Sequence, residues 1–258
     1  MQYGVCSLSV VPMRLEPNDR SEMINQVLFG ETFQVLEQRK KWSRIRLAHD
    51  RYEGWLDNKQ WDLLSESFFH ELQGESIPVS TEMIEIISHP GSGSFYPILL
   101  GSMLPKMQKE GKVKLENNHF DFLGPFTKNP SSRIRLVEFA YQYLNAPYLW
   151  GGRTPIGIDC SGFTQMVYRL TGYSLPRDSA EQARHGLTLS FIEESEPGDL
   201  AFFDNEEGII THVGIILSDN YIIHASGKVR LDRLDQTGIF NAERGAHTHK
   251  LRVIKKII

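Results

Sequence analysis

Tyr148-Leu149-Trp150-Gly151-Gly152-Arg153 and, a few residues on, Ile158-Asp159-Cys160-Ser161-Gly162-Phe163 organise the second half of this 258-residue chain. Cys160 falls at the start of a helix predicted over 160–170, with Phe163, Val167 and Leu170 on one face and Thr171-Gly172-Tyr173 as the stop. Unpaired N–H groups and the helix dipole at such a position favour a thiolate over a thiol. A thiolate that does chemistry needs a proton acceptor and donor beside it, most often a histidine. His212 opens a strand predicted over 212–217, and His224 lies inside one predicted over 221–225. The loop between them is short, so an antiparallel hairpin brings the imidazoles together. The first then serves as general base, and the second holds its ring in the working tautomer. A bland reading stands beside this one. A lone cysteine is commonly a small buried hydrophobe, and a strand histidine a hydrogen-bonded core residue.

Outward from that centre, Asn129-Pro130-Ser131-Ser132 marks a change of character. Ser131 or Ser132 can cap a helix whose Leu136, Phe139, Ala140, Tyr143 and Leu144 share a face, and Asn145-Ala146-Pro147 ends it. Beyond the cysteine helix come strands predicted over 199–203, 212–217, 221–225 and 250–258, which together with the helices give an α+β domain over 129–258. Upstream, strand-like runs at 5–11, 32–38, 42–48 and 54–57 predict a small β-barrel over 1–64. Residues 65–128, with possible strands at 96–100 and 112–115, form a second module of similar size. Cys6 reads as packing, Glu193-Glu194-Ser195-Glu196 as a solvated turn, and His247-Thr248-His249 as a solvated loop. Gly151-Gly152 lacks the Gly-Lys-Ser/Thr that a phosphate loop requires.

Composition narrows the class. The balance of 28 basic against 32 acidic side chains, a net −4, argues against a nucleic-acid partner. Two cysteines exclude a disulfide scaffold and a cysteine-rich zinc module, and suggest a reducing compartment. The first residues lack a basic segment followed by an apolar run, and no apolar stretch approaches the ~18 residues that span a bilayer. These features predict a cytoplasmic protein with no membrane partner.

Several of these segments carry a resemblance. Tyr148–Gly152 with Asp159–Phe163, Pro176-Arg177-Asp178-Ser179 with Gln182, Pro197-Gly198-Asp199-Leu200, His212-Val213-Gly214-Ile215 and Ile223-His224-Ala225 are similar, in order, to the motifs of NlpC/P60 cysteine peptidases. Leu28-Phe29-Gly30-Glu31 and Tyr52-Glu53-Gly54-Trp55-Leu56 resemble a bacterial SH3-like domain, a frequent companion of that peptidase. The resemblance implies a papain-like catalytic domain preceded by two small SH3-like β-barrels, with Cys160 as nucleophile, His212 as base and His224 as its orienting partner. It implies no metal and no other cofactor. Members with this arrangement and no export signal resemble γ-D-glutamyl-L-diamino acid endopeptidases, which cut murein peptides of the form L-Ala-γ-D-Glu-diamino acid (meso-diaminopimelate or L-Lys) during recycling. There Asp159 would meet the free L-Ala ammonium, Tyr148, Ser161 and Ser179 would line the same end, and Glu53 would reach it from the first barrel. A buried carboxylate beside the nucleophile is costly unless a cation meets it, which agrees with that role; the bland reading is that Asp159 and Glu53 are ion-paired within the protein. The alternatives are an exported hydrolase or amidase acting on intact wall, and a non-catalytic SH3-like peptide-binding protein.

Overall fold

In the computed structural model, which describes residues 1–128 and 130–258, the first half of the chain is built from short antiparallel strands. These are β1 (Gln2–Val5), β2 (Val10–Arg14), β3 (Met23–Leu28), β4 (Thr32–Gln38), β5 (Trp42–Leu47), β6 (Glu53–Asp57) and β7 (Asp62–Leu64). They pair in the order β3-β2-β6-β5-β4-β1-β7. Alternation in β5 buries Ile45 and Leu47 and exposes Arg44, as its period of two demands. Residues 5–11, predicted as one strand, are two. Val5 ends β1 against Thr32, Val10 begins β2 against Leu28, and residues 6–9 turn between them because the chain changes partners. Cys6 lies in that turn and is buried with Val11, Phe33 and Leu47.

Residues 65–128 contain α1 (Glu66–Leu72), β8 (Val79–Ser80), β9 (Ile84–His89), β10 (Ser94–Leu99), β11 (Lys112–Leu115), β12 (Asn118–Phe122) and β13 (Phe126–Thr127). The Ser65 hydroxyl caps α1 by accepting from the Phe68 N–H. Four of the strands form a sheet in the order β10-β9-β12-β11, and β13 pairs with β8. This stretch does not have a core to itself. Tyr3, Phe29 and Leu64 share one apolar cluster with Phe68, Ile87 and Phe120, and Met1–Pro130 is one compact unit.

The second unit is Ser131–Ile258. Asn129, where the sequence places the start of this domain, lies outside the described residues. Ser132 caps α2 (Arg133–Gln142), accepting from the Arg135 N–H at 3.4 Å. Leu136, Phe139, Ala140 and Tyr143 are buried, whereas Leu144 is exposed. The helix has ended by then, and Asn145 takes a left-handed φ of 68°. A short hairpin of β14 (Arg153–Thr154) and β15 (Gly157–Ile158) delivers the chain to α3 (Cys160–Leu170).

Every residue of α3 except Arg169 is buried, so the predicted one-sided face is in fact nearly the whole helix. Phe163, Met166, Val167 and Leu170 are each fully buried. Each contributes about 1.5–3 kcal/mol relative to an exposed side chain. At the helix head a Cβ on Gly162 would stand 2.3 Å from the Gly152 carbonyl oxygen, so glycine alone permits this approach.

After α4 (Ser179–Gln182) and β16 (Leu187–Leu189) come β17 (Leu200–Asp204), β18 (Ile210–Ile216), β19 (Tyr221–Ser226), β20 (Lys228–Leu234), β21 (Gly238–Asn241) and β22 (Ala246–Lys256). The sheet order is β16-β22-β17-β18-β19-β20-β21, and β22 pairs with β21 as well, closing six strands into a ring. The final strand begins earlier than residue 250, so His247 and His249 sit in a strand and not in a loop.

Candidate active site

Cys160 is the first residue of α3, and Asp159 is its N-cap. The helix packs against β18, and the Cys160 Sγ lies 4.0 Å from the carbonyl oxygen of Thr211, the residue before His212. Burial and the neighbouring Asp159 carboxylate push the thiol up to about 12, against the opposing pull of Arg177 and of the Val213 and Ser161 backbone. The resting group is therefore a thiol. The helix terminus alone predicts a thiolate, but here desolvation outweighs it.

The two histidines meet as the hairpin predicts. In the β18–β19 ladder Gly214 faces His224, which places His212 diagonally across from it on the same face. His212 Nε2 and His224 Nδ1 are 2.8 Å apart. Two further residues join them that the sequence did not single out for this site. Asp232 on β20 has its Oδ2 3.0 Å from His224 Nε2, and His249 on β22 stacks on His212 with ring centroids 4.2 Å apart. Neither has a local signature. Asp232 is brought in by the pairing of Ile222 with Asp232, and His249 by closure of the ring.

At the other side of Cys160, Asp159 is saturated. Its Oδ1 accepts from the Gly162 N–H at 2.7 Å and from Arg177 Nη1 at 3.0 Å. Its Oδ2 accepts from the Gly151 N–H at 2.8 Å and from Arg177 Nη2 at 2.5 Å. The cation that a buried carboxylate requires is thus a buried arginine of the protein itself. Ser161 Oγ accepts from Arg177 Nη1 at 2.9 Å. Gln182 of α4 ties the same corner together, donating to the Ser161 and Pro176 carbonyls at 2.9 and 2.8 Å. Ser179 opens α4 and is half-buried. Tyr148 is exposed at its edge, and burial, with the charges of Cys160 and Asp159 nearby, pushes its phenol up to about 12.

Glu53 belongs to the first unit. It sits in β6, where Arg46 Nε and Arg44 Nη2 donate to it at 2.8 and 3.0 Å, and the Arg46 bond holds its carboxyl below the usual range. Among the described residues no cluster of three His, Cys, Asp or Glu side chains is arranged to hold a metal, and no helix is long and apolar enough to cross a membrane.

The three imidazoles are neutral at neutral pH. Burial lowers all of them: His212 well below the ordinary value, His224 against the opposing pull of Asp232, and His249 to about 4. An unfolded chain protonates these rings near pH ~6.5, so it binds more protons than the folded one as pH falls. Stability of the second unit is therefore full above about pH 6.5 and declines below it, by up to ~1.4 kcal/mol per pH unit per ring. Urea midpoints should fall between about pH 7 and about pH 5, a range in which most carboxylates stay ionised. The slope should flatten in His249→Phe. A midpoint that holds constant across this range would contradict neutral burial.

A helix-head thiol next to a strand-borne imidazole pair, on an α+β scaffold, is the arrangement of a thiol hydrolase. Comparison with known proteins gives the family. Residues 145–246 match the NlpC/P60 family and residues 13–60 match the bacterial dipeptidyl-peptidase SH3 domain, so the second unit is an NlpC/P60 peptidase domain and the first carries an SH3-like domain. The chain is 26% identical over 256 residues to a γ-D-glutamyl-L-lysine dipeptidyl-peptidase of Bacillus cereus, covering 89% of this chain and 76% of the relative. A protein of the same name from Bacillus subtilis is 27% identical over 224 residues, covering 78% and 71%. In fold, the chain is similar to a crystal structure of an NlpC/P60 family protein from Bacillus cereus, with a TM-score of 0.82, 19% identity and 99% of each chain covered.

Proposed function

We propose that this peptidase hydrolyses the amide between γ-D-glutamate and the following diamino acid, meso-diaminopimelate or L-Lys. Its substrates are cell-wall-derived peptides that begin with a free L-Ala, and its place is murein peptide recycling in the cytoplasm. The observation that carries the chemistry is the His212–His224 contact of 2.8 Å on the strand against which the helix of Cys160 packs. The relatives' activity, a dipeptidyl-peptidase one, supports the free amino terminus, because releasing a dipeptide means counting from that end.

In this reading His212 takes the Cys160 proton as Sγ attacks the γ-carbonyl. The Cys160 N–H, at a helix position whose amides have no intrahelical partner, donates to the oxyanion. His212 then returns the proton to the leaving amine and activates the water that releases the acyl group. Tyr148, Asp159, Ser161 and Ser179 form the end that receives L-Ala. Since Arg177 already neutralises Asp159, the ammonium meets an ion pair and not a bare carboxylate. In the first unit, residues 65–128 are a second SH3-like module built onto the first through their shared core.

The test compares L-Ala-γ-D-Glu-diaminopimelate with its N-acetylated form. Acetylation should lower kcat/KM about 10- to 100-fold, the loss of an ammonium hydrogen bond of ~1.5–3 kcal/mol to the hydroxyls at that end. Equal cleavage of both would sink ammonium recognition. Cleavage of intact wall with none of the free peptide would favour the exported-hydrolase alternative.

A further inference from the structure

The imidazole pair is the inner part of a longer hydrogen-bonded line that crosses three strands. It starts at His212 on β18, passes through His224 on β19, and ends at Asp232 on β20, with contacts of 2.8 and 3.0 Å. Arg230 holds the far end, its Nε donating to Asp232 Oδ2 at 2.7 Å and its Nη2 to Oδ1 at 3.1 Å. Arg230 stands directly opposite His224 in the ladder, so the same pairing that fixes the strands aims the carboxylate. Asp232 and His224 are both buried.

We propose that Asp232, braced by Arg230, is a positioning residue that sets the tautomer of both histidines; this rests on His212 being the base. A carboxylate can only accept, so His224 Nε2 carries a proton. A neutral His224 then has a lone pair on Nδ1 and must accept there, so His212 Nε2 carries its proton. That leaves His212 Nδ1 unprotonated, the one ring nitrogen able to take a proton from Cys160. Without the carboxylate, His224 is free to protonate Nδ1 instead. His212 would then hold its proton on Nδ1, the nitrogen left for Cys160, and could not act as base. A plain structural ion pair between Asp232 and Arg230 would stabilise the hairpin but leave the tautomers undetermined.

The charged and titratable groups around the pair are Cys160 on α3, His249 on β22, Arg230 and Asp232 on β20, and Arg244 and Glu243 before β22. None except Asp232 has a carboxylate on His224. The first experiment is a nitrogen-detected NMR assignment of the histidine rings in the wild-type chain near pH 7. It should show protons on Nε2 of both His212 and His224. A proton on Nδ1 of either ring would overturn the assignment, and no variant has to fold for this reading.

The second experiment measures iodoacetamide alkylation of Cys160, read by mass spectrometry, alongside peptide turnover. Asp232→Ala should slow both alkylation and kcat by at least about 10-fold, with KM within about two-fold of wild type. Asp232→Asn keeps the shape, but its amide can also donate to His224 Nε2 and so allow the other tautomer, and both rates should fall as they do in Asp232→Ala. An Asp232→Ala protein that is folded yet alkylates at the wild-type rate would overturn the proposal. Ring protons and alkylation are read without turnover. A chain inactive on wall peptides that shows both signatures would therefore defeat the substrate assignment and leave this one standing.

Discussion

Replacing Cys160 by alanine should abolish peptide hydrolysis, lowering kcat by about 10⁴-fold or more, while the melting temperature changes little. The two halves of that expectation have separate causes. Sγ is the only atom removed, and its 4.0 Å contact with the Thr211 carbonyl is too long to hold much of the fold. Asp159 still caps the helix through the Gly162 N–H. The chemistry, by contrast, has no substitute. The other cysteine, Cys6, lies in the first unit, buried, with its thiol pushed up by desolvation. Cys160→Ser should be nearly as inactive, because a hydroxyl gives up its proton less readily than a thiol and His212 is a weak base in this pocket. The check is steady-state hydrolysis of L-Ala-γ-D-Glu-diaminopimelate beside thermal unfolding. Turnover persisting in the alanine variant would mean that another group is the nucleophile.

The second large effect falls on stability. Arg177→Met keeps the stem but strips the cation from Asp159, leaving a carboxylate buried at the head of α3. Breaking a buried pair from one side costs about 3–5 kcal/mol. A domain has ~5–15 kcal/mol in total. The second unit should accordingly lose a large share of its stability. Hydrogen exchange of peptides from 131–258 reports that unit in urea, free of Trp42, Trp55 and Trp61 of the first unit. Asp159→Asn combined with Arg177→Met should recover part of the loss, since asparagine also caps helices and carries no charge to strand. A single Arg177→Met variant within about 1 kcal/mol of wild type would show that water reaches Asp159 after all. Arg177→Lys should not substitute, because one ammonium cannot reproduce the two parallel bonds.

What could be read from the chain ahead of its coordinates follows the range of the interactions. The α3 stretch was legible because its apolar spacing, N-cap and stop are all local. The His212–His224 meeting was legible because a short loop forces a hairpin. Residues 5–11 misled because an apolar run does not show where the chain changes strand partner. His249 reads as a loop residue beside His247, and only closure of the ring lays it on His212. Asp232 sits within Arg230-Leu231-Asp232-Arg233, an alternation that any half-exposed strand would carry. Arg177 lay inside a recognised motif, yet its target depends on how the segment before α4 folds back over α3. Asp159 is the sharpest case. Its position beside Cys160 pointed to a substrate ammonium, and the chain's own Arg177 already pairs with its carboxylate.

Ring closure also orders events in time. The ribosome releases β17 to β21 before β22, and β22 is the strand that seals both β17 and β21. Until it docks, the nascent sheet has two raw edges and His212 lacks the ring that covers it. Cys160, His212 and His224 are therefore synthesised before the strand that carries His249. Burial of the site is completed only by β22, the same strand that lays His249 on His212.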